Sequence, residues 1–160
     1  MIPMAAIKIK MPSAGDKAPN FSAGDETGRT WSLKALKGKT VVLYFYPKDN
    51  TSGCTTQACD FRDHYDAFVK KGARILAVRP DAAKSLAGFK AKHGLPFPLL
   101  VDEDKKICRA YGVWQEKTLY GRKFMGVVRS TFIISKDGRI VSALRKVSVA
   151  GHVDAVLEAV

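Results

Sequence analysis

Two cysteines stand close together in the sequence, at the point where an apolar segment gives way to a helical pattern. Cys54 and Cys59 are five positions apart, and the apolar run Thr40–Tyr46 precedes them. The order of strand, polar loop and helix places Cys54 in the first turn of the helix, at the sheet edge where α/β proteins bind ligands. Unpaired N–H groups and the helix dipole stabilise an anion there. Because a thiolate is the nucleophilic form of cysteine, this placement favours a reactive Cys54.

The neighbours of Cys54 suit the same chemistry but leave a second interpretation open. Thr51 carries a hydroxyl within reach of the thiolate or of a bound oxygen, and Gly53 lacks a Cβ, so its N–H can approach a substrate closely. A cysteine near a helix start is also often a small buried apolar residue. From these residues alone, catalysis and core packing both remain open.

The number of cysteines restricts what they can do. Three cysteines in 160 residues do not make a disulfide scaffold, and in a reducing compartment such thiols are catalytic, metal-binding or buried. Cys108 lies in a helical pattern with Ile107 and Tyr111, which indicates a core position. The cysteines and His64 lack the paired short spacing of structural zinc sites. We therefore expect no metal and no cofactor.

The composition excludes several classes of protein. The net charge is +12, but the basic residues are scattered and form no block of the kind found in nucleic-acid-binding tails, so a solvated basic surface is expected. The longest apolar stretch, Val41–Tyr46, is far short of the roughly 20 residues that a membrane span needs. The first residues show no apolar signal-peptide region. We expect a cytoplasmic protein with no nucleic-acid or membrane partner.

Strand and helix patterns alternate along most of the chain. Thr40–Tyr46 is the strongest strand, because it is β-branched, aromatic and apolar on both faces. Further strands are expected at Ala73–Val78, Pro98–Val101, Val127–Ser135 and Arg139–Ala143. Helices are expected at Cys54–Lys71, Ala82–His93, Asp104–Tyr111 and Val153–Val160, with one helical turn at Ser32–Leu36.

This alternation predicts an α/β fold with a central mixed β-sheet that is covered by helices on both faces. The strand-helix-strand units supply parallel strands, and the hairpin signal Lys136–Gly138 adds antiparallel ones. We expect a single domain over residues 15–160. Residues 1–14 form an N-terminal extension, with a short strand predicted at Ile7–Met11.

The segment around Cys54 resembles the peroxiredoxins, whose peroxidatic motif has the form Pro47-x-x-x-Thr51-x-x-Cys54. Residues 44–63 are similar to the bacterioferritin comigratory protein, or peroxiredoxin Q, branch of that family. Further matching segments are His93–Leu100, Tyr111–Trp114 and Arg129–Phe132. The likeness extends from about Gly15 to the C-terminus.

The resemblance implies a thioredoxin-like fold and a role for each residue of the motif. Cys54 corresponds to the peroxidatic cysteine, Thr51 to the hydroxyl that orients the peroxide, and Pro47 to the residue that shields the pocket. Arg129 corresponds to the arginine that supports the thiolate and polarises the O–O bond, and a guanidinium with fixed donors suits that task.

The same resemblance implies a redox cycle for hydrogen peroxide and organic hydroperoxides. Cys59 corresponds to the resolving cysteine, which forms a disulfide with Cys54, and thioredoxin or a similar dithiol is the expected reductant of what is expected to be a monomer. Five residues apart on one helix, the two Cα atoms would be about 8.6 Å apart. Since a disulfide needs less than about 7 Å, the start of the helix must unwind.

Two positions depart from the branch, and other functions remain as rivals. Ser52 stands where relatives commonly have proline, and Arg79 stands where they often have serine. The Arg79 charge could lie near the site, but we expect it on the surface. His64 lies about 280° around the helix from Cys54, so it is a poor partner for that thiol. The rivals are a thioredoxin-type disulfide oxidoreductase, which normally needs a Cys-x-x-Cys pair, and a metal-binding or nucleic-acid-binding protein.

Overall fold

The computed structural model describes residues 11–47 and 52–160. The predicted strand at Ile7–Met11 lies outside these residues except for Met11, which belongs to no strand, and Thr51 lies outside them as well. The strands are β1 (Ser22–Gly24), β2 (Thr30–Ser32), β3 (Thr40–Phe45), β4 (Ala73–Arg79), β5 (Leu99–Val101), β6 (Trp114–Leu119), β7 (Arg122–Val127), β8 (Ser130–Ile134) and β9 (Ile140–Arg145). The helices are α1 (Ser52–Asp63), α2 (Tyr65–Lys70), α3 (Ala83–His93), α4 (Lys106–Ala110) and α5 (His152–Ala159), with a 3-10 turn at Lys34–Leu36.

Five strands form the central sheet, in the order β5-β4-β3-β8-β9. Strands β3, β4 and β5 are parallel, whereas β8 and β9 are antiparallel to their neighbours. The mixed sheet that the sequence predicts is therefore confirmed. Its parallel strands come from the strand-helix-strand units, and its antiparallel strands come from the hairpin around Gly138.

Strand β3 lies in the middle of the sheet because both of its faces are apolar. Val42 and Tyr44 pack into one core, together with side chains of α1, α2, α3 and α5. Val41 and Leu43 pack into a second core on the opposite face, with side chains of α4 and of the segment before β3. Residues 41–46 are at most 1% exposed. Strand β3 ends at Phe45, and Cys54 follows it in the sequence.

A hairpin of β6 and β7 stands apart from the central sheet and was not predicted. Its strands are joined at Tyr120 and Gly121, which both have positive φ values, 51° and 74°. This backbone conformation is that of a tight two-residue hairpin turn. Most residues of the hairpin are exposed or half-buried, so the sequence lacks the regular apolar alternation that marks a strand.

The prediction of one strand over Val127–Ser135 is wrong. Strand β7 ends at Val127 and β8 begins at Ser130, so Val128 and Arg129 lie between two strands. The reason is a change of hydrogen-bond partners: the N–H of Val128 donates to Val113, and the carbonyl of Arg129 accepts from Val147. This break places Arg129 just before β8, at one end of the strands of the central sheet.

The prediction of one helix over Cys54–Lys71 is also wrong, because the helix divides at His64. His64 leaves helical geometry, with φ −101° and ψ 5°. Its ring nitrogen Nδ1 lies 2.8 Å from the carbonyl oxygen of Asp60, and its Nε2 lies 3.1 Å from the carboxylate of Asp154. The separate helix α1 therefore holds both Cys54 and Cys59.

Among residues 11–47 and 52–160, none of the helices has the length and apolar character that crossing a membrane would require.

Candidate active site

Cys54 is the third residue of α1 and lies beyond the C-terminal end of β3, as the sequence predicts. Its side chain is almost fully buried, with 1% exposed, and packs against the core that contains Tyr44 and Ala58. Burial by itself would make this thiol an inert apolar residue. Its function therefore depends on which charged or polar groups lie beside the sulfur.

Arg129 supplies such a group. Its Nη2 atom lies 3.1 Å from the Sγ atom of Cys54, although the two residues are 75 positions apart in the sequence. The backbone of Arg129 is fixed because its carbonyl accepts a hydrogen bond of 3.0 Å from Val147. A guanidinium held at this distance stabilises a thiolate by charge and by hydrogen bonding.

Gln57 orients the guanidinium and was missed in the sequence. Its side-chain oxygen Oε1 accepts a hydrogen bond from Nη1 of Arg129, while Nη2 of the same guanidinium reaches Cys54. Gln57 is fully buried, and its amide Nε2 has no hydrogen-bond partner among the described residues. The three-residue spacing from Cys54 on a helix was the available signal, because it puts both side chains on one face.

Gly53 lacks a side chain at the point where Arg129 approaches α1. A Cβ atom added at this position would lie 3.3 Å from Nη2 of Arg129, closer than most side chains pack. The absence of a side chain therefore lets the guanidinium lie against the backbone of α1. The predicted use of the Gly53 N–H as a donor to substrate stays a prediction.

Pro47 lies where β3 has ended, and it is half-buried. It lines a groove of about 490 Å³ together with Trp114, Lys117, Phe124 and Val127 from the β6–β7 hairpin and other residues. The predicted role of Pro47 in shielding the pocket stays a prediction. Thr51, the remaining residue of the predicted motif, belongs to residues 48–51, which the structure does not describe.

The prediction that Arg79 lies on the surface is wrong. Arg79 is the last residue of β4 and is only 8% exposed. Its guanidinium donates to the carbonyl oxygens of Tyr46 and Pro47 and pairs with the carboxylate of Asp81. A buried guanidinium is tolerated because every side of it meets an oxygen acceptor.

Lys117 brings a further positive charge to the same region and was not singled out in the sequence. Burial lowers the pKa of this lysine, and the guanidinium groups of Arg129 and Arg79 lower it further. Its aliphatic stem packs against Gly126, where an added Cβ would lie 3.2 Å from Cδ of Lys117. The hairpin therefore places Lys117 in the groove that Pro47 also lines.

Cys59 is half-buried on α1, and the structure does not bring its sulfur to Cys54. Both residues are free thiols, and the intact helix Ser52–Asp63 runs through both positions. Arg62 lies one turn further along. A hydrogen bond to Asp63 raises the pKa of the Arg62 guanidinium.

Cys108 is fully buried in the second core, as predicted. Burial and the carboxylate of Asp102 raise the pKa of this thiol. Within the described part of the chain, no group of three or more His, Cys, Asp or Glu side chains is arranged to hold a metal ion.

His152 carried no signal in the sequence but lies behind the site. Its Nε2 atom is 2.8 Å from the hydroxyl of Thr131, in a buried position. Burial, and then the positive charge of Arg129, lower the pKa of His152 to about 4. The ring is therefore neutral at physiological pH and adds no charge beside Arg129.

Known proteins that resemble this chain agree with the geometry. The AhpC/TSA family model matches residues 14–143. The chain is 48% identical over 144 residues to "Peroxiredoxin Bcp" of Bacillus subtilis strain 168, covering 90% of this chain and 92% of that protein. "Peroxiredoxin Bcp" of Escherichia coli K12 is 41% identical over 144 residues, with the same two coverages, 90% and 92%.

Solved structures of proteins from the same family also resemble this chain. A Xanthomonas campestris Peroxiredoxin Q superposes with a TM-score of 0.84 at 44% identity and covers 93% of this chain and 94% of its own. The bacterioferritin comigratory protein of the same organism gives a TM-score of 0.84 at 43% identity, with coverages of 95% and 96%. These matches confirm the thioredoxin-like fold. The chain belongs to the AhpC/TSA family, in its Bcp or peroxiredoxin Q branch, and is a thiol peroxidase.

Proposed function

We propose that Cys54 is the peroxidatic cysteine and that Cys59 resolves its oxidised form as a disulfide. The observation that carries this proposal is the 3.1 Å distance between Nη2 of Arg129 and Sγ of Cys54. It is the one described contact that gives a buried thiol a positively charged donor. The substrates are hydrogen peroxide and organic hydroperoxides, in keeping with the alkyl peroxide reduction activity named for the Xanthomonas campestris relative.

In the first step, the Cys54 thiolate attacks the distal oxygen of the hydroperoxide. An S–O bond forms while the O–O bond breaks, and the electron pair of that bond leaves on the proximal oxygen. The proton of the distal oxygen stays with it, which yields a sulfenic acid. The departing oxygen takes a proton from solvent and leaves as water or as an alcohol.

Arg129 stabilises the negative charge that moves from sulfur to oxygen during this step. Its Nη2 donates to the sulfur, and its Nη1 is held by Gln57, so the guanidinium does not need to reorganise when charge shifts. The Gly53 N–H and the Thr51 hydroxyl are further donors in this proposal. Pro47 keeps water away from one side of the groove.

In the second step, the Cys59 thiolate attacks the sulfenic sulfur and releases hydroxide, which leaves the Cys54–Cys59 disulfide. On an intact helix the two Cα atoms are about 8.6 Å apart, too far for a disulfide. The first turns of α1 must therefore unwind. Amide hydrogen exchange should be faster at residues 54–59 in the oxidised protein than in the reduced one. Equal protection in both states would contradict this step.

A dithiol protein such as thioredoxin completes the cycle. Thiol–disulfide exchange reduces the bond and restores both cysteines. Because both cysteines lie on one chain, a monomer is sufficient for the reaction. This arrangement is that of an atypical 2-Cys peroxiredoxin.

The experiment is hydrogen peroxide consumption coupled to NADPH, thioredoxin reductase and thioredoxin. Cys54→Ser should abolish consumption. Cys59→Ser should still react once with peroxide but should not turn over with thioredoxin. Cys108→Ser is the matched control, because its thiol is also buried but lies beside a carboxylate, and its activity should equal that of the wild type. Full turnover by Cys54→Ser, or insulin reduction faster than peroxide consumption, would overturn the proposal.

A further inference from the structure

The register of the sheet places Arg79 beside Tyr46 and Pro47, the residues that follow β3. Strands β3 and β4 are parallel, and Phe45 at the end of β3 lies opposite Val78. The next residue of β4, Arg79, therefore extends along the Tyr46–Pro47 peptide. The backbone of Arg79 is itself fixed, because its carbonyl accepts a hydrogen bond of 2.9 Å from the N–H of Asp102.

The guanidinium of Arg79 donates hydrogen bonds to the carbonyl oxygens of Tyr46 and Pro47. Its Nη1 atom donates to Tyr46 at 3.1 Å and also to Pro47. These carbonyls lie just beyond Phe45, the last residue of β3. A guanidinium with several donors in one plane can hold two acceptors at once, which a single ammonium group does less well.

Asp81 fixes the orientation of that guanidinium. Its two carboxylate oxygens accept hydrogen bonds of 3.0 Å from Nε and Nη2 of Arg79. The pairing is bidentate, a geometry that restricts rotation as well as position. Arg79 itself is only 8% exposed, whereas the Asp81 side chain is partly exposed. The result is a rigid link from β4 to the start of the segment that carries the active cysteine.

We propose that Arg79 is a positioning residue for peroxide reduction, which holds the Tyr46–Pro47 backbone and so fixes Pro47 in the wall of the groove that Pro47 and Arg79 both line. This inference rests on the proposed function of Cys54. Arg79 acts through the backbone of Tyr46 and Pro47, whereas Arg129 contacts the sulfur directly. Loss of Arg79 therefore affects the reaction with a peroxide, which needs orientation, more than the reaction with a simple alkylating agent.

The test compares two rates in the same variants: reduction of hydrogen peroxide by the prereduced protein, and alkylation of Cys54 by iodoacetamide across a range of pH. In Arg79→Ser, the peroxide rate should fall about tenfold, the cost of a misplaced reacting group. The alkylation rate and its pH profile should remain within about twofold of the wild type, as expected when only orientation is lost. Arg79→Lys should recover part of the peroxide rate.

Arg74→Ser is the matched control, because Arg74 lies on the same strand and, among the described residues, its guanidinium donates to the carbonyl of Ala73; both of its rates should be unchanged. If Arg79→Ser does not fold, Asp81→Asn replaces it and should lower the peroxide rate alone. An unchanged peroxide rate, or equal falls in both rates, would overturn the role of Arg79. Cys54→Ser, measured in parallel, tests the proposed function separately, because retained peroxidase activity there would refute that function and not the role of Arg79.

Discussion

Cys54 and Cys108 occupy the same position in two different helices. Each is the third residue of its helix, α1 for Cys54 and α4 for Cys108. Each is also fully or almost fully buried, with exposures of 1% and 0%. If helix position and burial determined reactivity, the two thiols would react alike.

Their charged neighbours are opposite in sign. Cys54 has the guanidinium of Arg129 at 3.1 Å. At the start of α4, the carboxylate of Asp102 accepts the N–H groups of Ile107 and Cys108 at 3.1 and 2.8 Å, so the donors that would stabilise an anion are already occupied. Burial and that carboxylate raise the pKa of Cys108. These opposite neighbours support the proposal that a cation from a distant segment decides which buried thiol becomes a nucleophile.

The largest effect in this comparison should come from removing that cation. Arg129→Met should lower the rate constant for hydrogen peroxide reduction by about 100-fold or more, the usual cost of losing a charged donor at a reacting centre. Arg129→Lys should recover only part of the rate, because an ammonium group cannot bond Gln57 and the thiol in the same geometry. Stopped-flow measurement on the prereduced proteins gives these rates.

Arg139→Met is the control for the loss of a positive charge, since Arg139 is exposed and donates to the carbonyl of Gly15, away from Cys54. Its rate should match that of the wild type. A rate for Arg129→Met within twofold of the wild type would show that the charge of Arg129 does not make Cys54 more reactive than Cys108.

His152 offers a second measure of the charge near Cys54. Its pKa is about 4 in the folded protein against an ordinary value of 6.5, so the folded state resists protonation of this ring. Such a group contributes stability that is fully present above about pH 6.5 and is lost as the pH falls towards 4, by about 3 kcal/mol in all. Denaturant unfolding of the wild type and of His152→Gln at both pH values should show a smaller loss in the variant.

The position of Arg129 adds a prediction for the same histidine. Burial is the larger cause of its low pKa, and the charge of Arg129 is the smaller one. Arg129→Met should therefore raise the pKa of His152 only in part, as followed by NMR titration of the ring protons. A value in the variant that equals that of the wild type would show that the field of Arg129 does not extend behind Cys54.

A smaller effect is expected from a methyl group placed between α1 and Arg129. In Gly53→Ala, the new Cβ would lie 3.3 Å from Nη2 of Arg129, so the guanidinium must shift. The peroxide rate should fall about tenfold because the donor is displaced. Gly88→Ala in α3 is the matched control, since nothing lies within 4 Å of its added Cβ.

Both alanine variants replace a helical glycine, and Gly88→Ala should raise the free energy of unfolding by about 0.5–1 kcal/mol. Its peroxide rate should not change. Equal activity in Gly53→Ala and Gly88→Ala would show that the close approach of Arg129 to α1 is not needed.

The sequence predicts well those features that depend on neighbouring residues. The apolar run at β3 and the helix that follows it place Cys54 at a helix start, and the structure agrees. The apolar surroundings of Cys108 indicate a core position, which is also confirmed. In each case the signal lies within a few residues of the feature.

Features that depend on contacts between distant segments could not be predicted from local sequence patterns. Arg129 was identified by family resemblance, because no local pattern links it to a thiol 75 residues away. The buried position of Arg79 depends on acceptors at Tyr46 and Pro47, on another strand, and on the parallel register that aligns them. A charged residue without visible partners in its own segment was therefore expected on the surface, and that expectation was wrong.

The most direct test identifies which thiol reacts with peroxide. Cys59→Ser removes the proposed resolving cysteine, so that a sulfenic acid persists long enough to be trapped. After one equivalent of hydrogen peroxide, dimedone labelling and peptide mass spectrometry should locate the adduct on Cys54 and leave Cys108 unmodified. An adduct on Cys108, or none on Cys54, would contradict the proposal that Arg129 selects the reactive sulfur.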